Sequence, residues 1–308
     1  MRRRVPFLLV LLALVCVSLM PVSVSAQPRD SVSRQLSALE SRINRILARE
    51  GVSGPEDAYK LEDLSSQESA VLMDLMLRYA ELRAAEDEER SYRALADQTA
   101  DVETMQLTSS ALATSGTIAV NGNTSGHLTC WNGQSNRHDH ASGKSWFPVG
   151  VWKADSYGGT SEACVVIGPA GWGSAWSWAY AGQTLAVTGS GSSYATITMT
   201  GAYWGLLSCF ASGSASWTID LIVKDLTSGA TFTSNVAHDS SAAFCWREVD
   251  TGFSQAMVVN LTASHTYMVH LKVKCSASIK SGGEAGADFG YGDGDGGCAW
   301  YEHFHVDW

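Results

Sequence analysis

The chain has 308 residues, with 21 Lys+Arg against 31 Asp+Glu, a formal net charge of −10 at pH 7. A hydrophobic fraction of 45% belongs to a globular chain and not to a disordered one. The acidic balance excludes a nucleic-acid binder that neutralises phosphates with a basic face.

Three chemically different pieces follow one another. Residues 1–26 read as a signal peptide: Arg2, Arg3 and Arg4 form a basic start, 5–22 is an apolar run, and Val24 and Ala26 occupy the −3 and −1 positions of a cleavage site. No later stretch approaches the ~18 consecutive apolar residues of a membrane span. The expectation is therefore an exported protein, secreted or held at the cell surface, with no membrane span after cleavage.

Residues 27–105 form an acidic helical region with 10 Lys+Arg, 17 Asp+Glu and neither Cys, His nor Trp. Val32, Leu36, Leu39, Ile43 and Ile46 recur in steps of four and three, the seam of one helix, and Gly51 suits its C-terminal stop. Ser65 and Glu68 have the spacing of a capping box, which starts a second helix near Ser66. Its stripe of Leu72, Leu75, Tyr79 and Leu82 is interrupted by the charged run 86–90 and resumes at Tyr92 and Leu95. Such stripes need a partner. Two arrangements supply one: a helical hairpin packed on the following domain, or association between chains as a homo-oligomeric stalk.

Residues 106–308 hold 27 of the 29 glycines, all eight histidines and all eleven tryptophans. Short alternating β-rich runs occur at 117–120, 164–167, 176–180, 184–188, 194–200, 217–224, 231–236, 257–261, 266–275 and 298–308, with Ala181-Gly182 and Ser228-Gly229 among the turn signals. The fold class expected is mostly β: an antiparallel, jelly-roll-like β-sandwich head preceded by the helical region. Alternation puts Trp217, Ile219, Leu221 and Val223 on one face. It does the same for Tyr267, Val269, Leu271, Val273 and Cys275, with Thr266, His270, Lys272 and Lys274 opposite. In the last run it groups Trp300, Phe304 and Val306 on one face and Tyr301, His303, His305 and Asp307 on the other. Six cysteines remain after cleavage, an even number that suits up to three disulfides in an exported domain.

The tryptophan enrichment needs a reason. Aromatic planes bind the apolar faces of sugar rings, and Trp131, Trp146, Trp152, Trp172, Trp176 and Trp178 are the candidate ligand-binding residues; core packing competes for the strand positions. Asp288, Asp293 and Asp295 lie in a glycine-rich stretch whose carboxylates suit calcium, although the EF-hand pattern is incomplete. No other cofactor is required. His303 and His305 share a strand face with Asp307, spaced for metal chelation or for a plain polar face. No Gly-x-Ser-x-Gly, His-Glu-x-x-His or phosphate loop is present. The leading expectation is a non-catalytic binding or adhesion protein whose partner is carbohydrate or a cell-surface glycoconjugate. A self-associating surface protein and a secreted polysaccharide hydrolase are the alternatives.

Overall fold

The computed structural model describes residues 29–53, 57, 60–61, 64–106, 117–132, 136–147, 150–157, 160–167, 172–211, 213–242, 244–279, 283–290 and 297–308. The expected signal peptide, 1–26, lies outside the described residues. No helix among those described is long and apolar enough to cross a membrane.

Two helices come first, α1 (Arg29–Arg49) and α2 (Ser66–Gln106). Gly51 ends α1 with φ +69°, a conformation that costs glycine nothing. Its N–H donates to Ala48 O and that of Val52 to Leu47 O, which satisfies the last carbonyls. Ser65 caps α2: Glu68 N donates to Ser65 Oγ at 3.3 Å, and Ser65 Oγ donates to Glu68 Oε2 at 2.7 Å. The seam of α1 is used within the chain. Ile43 and Leu47 pack with Leu61, Leu72, Leu75 and Met76 in a small hairpin core, with Leu39 and Ile46 at its edge. At 41 residues α2 is about 60 Å long, and its middle, from Ala80 to Leu95, packs on the β domain.

Thirteen strands among the described residues build two antiparallel sheets. The six-stranded sheet has the order β1 (Ala119–Val120), β6 (Trp172–Thr188), β11 (His265–Ile279), β8 (Gly213–Asp225), β9 (Thr231–Ala242), with β3 (Asn136–Phe147) also on β6. The seven-stranded sheet has the order β10 (Cys245–Thr262), β7 (Ser192–Phe210), β12 (Glu284–Phe289), β5 (Thr160–Ile167), β13 (Cys298–Asp307), β2 (His127–Trp131). There β4 (Gly150–Tyr157) pairs with β5, and β13 also pairs with β7. The core lies between the sheets, where Trp217, Ile219, Leu221 and Val223 of β8 and Tyr267, Val269, Leu271 and Val273 of the neighbouring β11 pack with Ile197, Met199 and Phe304 of the other sheet, as their alternation requires.

Two sequence expectations change here. Ala181-Gly182 is no turn, because β6 runs straight through it. A Cβ at Gly182 would lie 2.1 Å from Val269 O and 2.3 Å from His270 Cβ, so glycine serves close packing against β11 and not chain reversal. No disulfide joins two described cysteines. The apolar core and the sheet pairing hold the sandwich. Cys209 and Cys245 are nonetheless direct register partners across β7 and β10. Burial, and then the neighbouring Cys245, push the Cys209 thiol up to about 12, which keeps it in the less reactive thiol form once folded.

The outer face of the six-stranded sheet is covered by α2. Trp176, Trp178 and Tyr180 of β6 and Met268 of β11 pack with Ala80, Ala84, Tyr92 and Leu95. Polar residues of β11 and β8 are buried with them, and α2 answers several. Lys272 pairs with Glu88, and Lys224 with Glu89 at 3.0 Å. The Tyr92 hydroxyl donates to Glu88 at 2.8 Å and sits 2.7 Å from His270 Nε2, while Ser91 and Tyr180 share a hydrogen bond of 2.9 Å. The charged run that interrupts the apolar stripe is thus the part of α2 that meets the lysines. Burial opposes the charge on Glu88, but the Lys272 ammonium outweighs it and holds the carboxyl below its usual range.

Two measurements follow from this packing. Refolding in an oxidising buffer should link Cys209 to Cys245, seen as a cross-linked peptide pair, with a stabilisation of up to about 3–4 kcal/mol from the closed loop. Reduced peptides alone would show that the strands hold the sulfurs apart. The second concerns His270, whose burial depresses its pKa to about 3. The unfolded chain takes a proton that the folded chain refuses, so stability is full above about pH 6.5 and falls as pH drops toward 3. Glu88 adds loss in the same direction as pH falls through its own depressed value. Denaturant midpoints should fall between about pH 7 and pH 4, and fall less in His270→Gln; equal slopes in the two chains would remove His270 as the cause.

Candidate functional site

The outer face of the seven-stranded sheet carries no helix among the described residues. Across its β10–β7–β13–β2 half the register is explicit. His303 of β13 lies between Thr200 of β7 and Trp131 of β2, His305 between Thr198 and Thr129, and Asp307 between Thr196 and His127. A bulge between Tyr301 and His303 sets which side chains reach this face. Tyr301, Phe304 and Val306 all point into the core, fully buried, whereas strict alternation would have placed Tyr301 with the histidines. The bulge also turns Trp300 outward with His303 and His305, and it leaves Glu302 exposed.

The outcome is an unbroken row of rings along β13 and β2. Trp131 and His303 have ring centroids 4.9 Å apart, His303 and His305 4.7 Å, and His127 and His305 5.3 Å. Trp131 is 64% exposed, an unusual degree for a tryptophan on a sheet. Hydroxyls border the row. Thr129 Oγ1 lies 2.9 Å from His305 Nδ1 and 3.2 Å from His127 Nε2, and Thr200 Oγ1 lies 3.2 Å from His303 Nε2. At the far end Asp307 holds His127 Nδ1 at 2.5 Å. Trp131 is itself anchored through its backbone, whose carbonyl accepts from Gln183 Nε2 at 2.5 Å. Four rings, two hydroxyls and a carboxylate on one sheet face can stack against a ring-shaped ligand and hydrogen-bond to its rim. His127 and His303 sit opposite Asp307 and Trp131, four residues apart along β13, or about 13 Å. That spread suits a strip better than one metal ion, and no group of three metal-ligating side chains is assembled among the described residues.

The candidate residues from the sequence fall in different places. Trp131 lies in the row. Trp176 and Trp178 are buried under α2 at 2% and 0% exposure and offer no ring face to solvent, because the strand face that alternation left for solvent is the one α2 covers. Trp146 falls at a register shift of β3, Trp152 pairs with Val165 and Trp172 with Phe147; their side chains lie outside those described. Asp293 and Asp295 also lie outside the described residues. Asp288 accepts from Gly290 N at 2.8 Å, an Asx turn. Sequence reasoning passed over His127, whose place beside His305 depends on cross-strand register. It also passed over exposed Trp204, Phe210, Phe244 and Trp246, which lie on or beside the same sheet.

No protein-family model matches the chain, and no curated protein matches it. Solved structures that it resembles include the carbohydrate-binding module CBM6cm-2 of Cellvibrio mixtus lichenase 5A, in complex with cellotriose. That likeness has 10% identity and a TM-score of 0.17, and it covers 59% of this chain and 96% of the module. The C-terminal family 22 carbohydrate-binding module of Clostridium thermocellum Xyn10B is similar at 12% identity and a TM-score of 0.20, with 59% and 89% covered. A xylan-binding domain of family 22 gives 12% identity and a TM-score of 0.17, with 52% and 90% covered. The sheet order given above rests on this chain's own strand pairing.

The row makes a charge prediction that NMR titration can read. His305 is held below the usual imidazole range, first by burial and then by His303 and His127, with Asp307 opposing. His303→Ala should therefore raise the His305 pKa, and Asp307→Asn should lower it. An unmoved His305 in both chains would show that the rings are not electrostatically coupled.

Proposed function

We propose that this chain is an exported, non-catalytic binding protein that takes carbohydrate, or the glycan of a surface glycoconjugate, on the outer face of its seven-stranded sheet. The observation that carries this reading is the exposed row Trp131–His303–His305–His127. A tryptophan left open on a sheet is explained by a ligand that covers it. The row is about 13 Å long by strand rise, a span for a short run of sugar rings and not for a single ion. Its polar edge consists of hydroxyls and one carboxylate, groups that bond to sugar hydroxyls in both directions. The leader-like start of the sequence supplies the export part of the proposal.

The test is a broad glycan array with the mature chain, 27–308, followed by titration of any hit. Specific binding is expected, and Trp131→Ala should weaken it about thirtyfold with the fold intact by circular dichroism. Undiminished binding in Trp131→Ala would place the site elsewhere, and a blank array with folded protein would turn the reading toward self-association. A chelator arm tests calcium at Asp288, Asp293 and Asp295: only loss of binding on chelation supports a metal there.

A further inference from the structure

A cavity of about 480 Å³ opens on the other side of the sandwich, between α2 and the outer face of the six-stranded sheet. This volume lies within the ~300–1,000 Å³ of small-molecule sites. Register sets its floor: Asp220 of β8 lies beside Lys272 of β11 and Asn235 of β9, and Ile222 lies beside His270 and Thr233. Tyr92 and the Glu88 and Glu89 side chains of α2 form the roof.

The chemistry of the walls narrows the ligand. Four acids and four bases line the cavity, so it carries no net charge. Glu88 is taken by Lys272 and Glu89 by Lys224, so an anionic ligand would have to compete with these pairs, and a cationic one would meet the Lys272 ammonium beside Asp220. Asp220 differs. It accepts one hydrogen bond, from Asn235 Nδ2 at 2.9 Å, and has no cation within ion-pair distance among the described residues. Burial pushes its carboxyl above the ordinary carboxylate range, as expected of a group short of donors. A neutral ligand rich in hydroxyls would donate to Asp220, use Thr233, and lay an apolar edge on Tyr92 and Ile222. It would leave both ion pairs intact.

We propose that the cavity under α2 is a second ligand site, built for a neutral polyhydroxylated molecule of one or two rings, with Asp220 as its principal acceptor. It stands apart from the Trp131 row, which lies on the opposite sheet, and does not depend on it. Because α2 forms the roof, an occupied site also clamps the helix to the sheet.

The experiment uses the mature chain carrying Trp131→Ala, so that the row does not contribute. Glucose, N-acetylglucosamine and cellobiose are titrated by calorimetry, with glycine betaine as a zwitterionic control. One saccharide should bind with one site per chain and slow amide exchange in the segments around 88–93 and 220–233. Adding Asp220→Asn should weaken it about tenfold or more, since that change removes the anionic acceptor but keeps the shape. Adding Thr233→Trp, at an exposed wall position, should abolish it by filling the space. Binding that survives both changes, binding of betaine alone, or no binding by folded protein would each overturn the proposal. Binding that requires Trp131 would count against this site and for the row.

Discussion

The arrangement of this molecule depends on how the outer face of the six-stranded sheet is covered. That face carries Trp176, Trp178 and Tyr180 beside His270, Lys272 and Lys224, a mixture that neither water nor an apolar layer suits. An apolar helix would bury the rings but strand the lysines without counter-charges. Uncompensated buried charges of that kind cost about 3–5 kcal/mol each when one partner is removed. The acidic α2 resolves both demands at once, with alanines over the rings and Glu88, Glu89 and Tyr92 over the polar groups. The helical region and the sandwich are therefore parts of one folded unit, and α2 is a layer of the fold before it is anything else.

This also explains what the sequence made legible. Helix ends were readable because caps are local: Gly51, Ser65 and Glu68 act through contacts a few residues away. The inner faces of β8 and β11 were readable because a buried strand face has period two. Three features were not readable, each for a non-local reason. The phase of β13 changes at a bulge that exists only where the strand meets β7. Gly182 resembles a turn signal until β11 lies against it. His127 joins His303 and His305 through register between strands almost 180 residues apart in sequence.

The tryptophans show the same limit in a sharper form. Composition announced that they matter but could not divide them. Trp217 fills the space between the sheets, and Trp176 and Trp178 fill the space beneath α2. Trp131 and Trp246 remain open, at 64% and 61% exposure. Residue type and alternation are the same in kind for all of them. What differs is whether a third layer lies above the strand, and a helix that begins more than a hundred residues earlier decides that.

The two outer faces consequently have different standing. On the six-stranded sheet, Lys272, Lys224, Tyr180 and His270 each meet a partner on α2, so any ligand there must fit a space left between these groups. The cavity at Asp220 is such a space: its walls are mostly committed to one another, and only the uncommitted carboxylate sets a demand. On the seven-stranded sheet no helix covers Trp131 or the histidines among the described residues, and their hydroxyl neighbours bond mainly to the rings themselves. A half-open cavity with few free groups would select by size and by one strong acceptor. An open strip selects by surface length and ring stacking, and tolerates chains that extend past both ends. The sandwich thus presents two chemically different outer faces, with α2 as the element that makes them different.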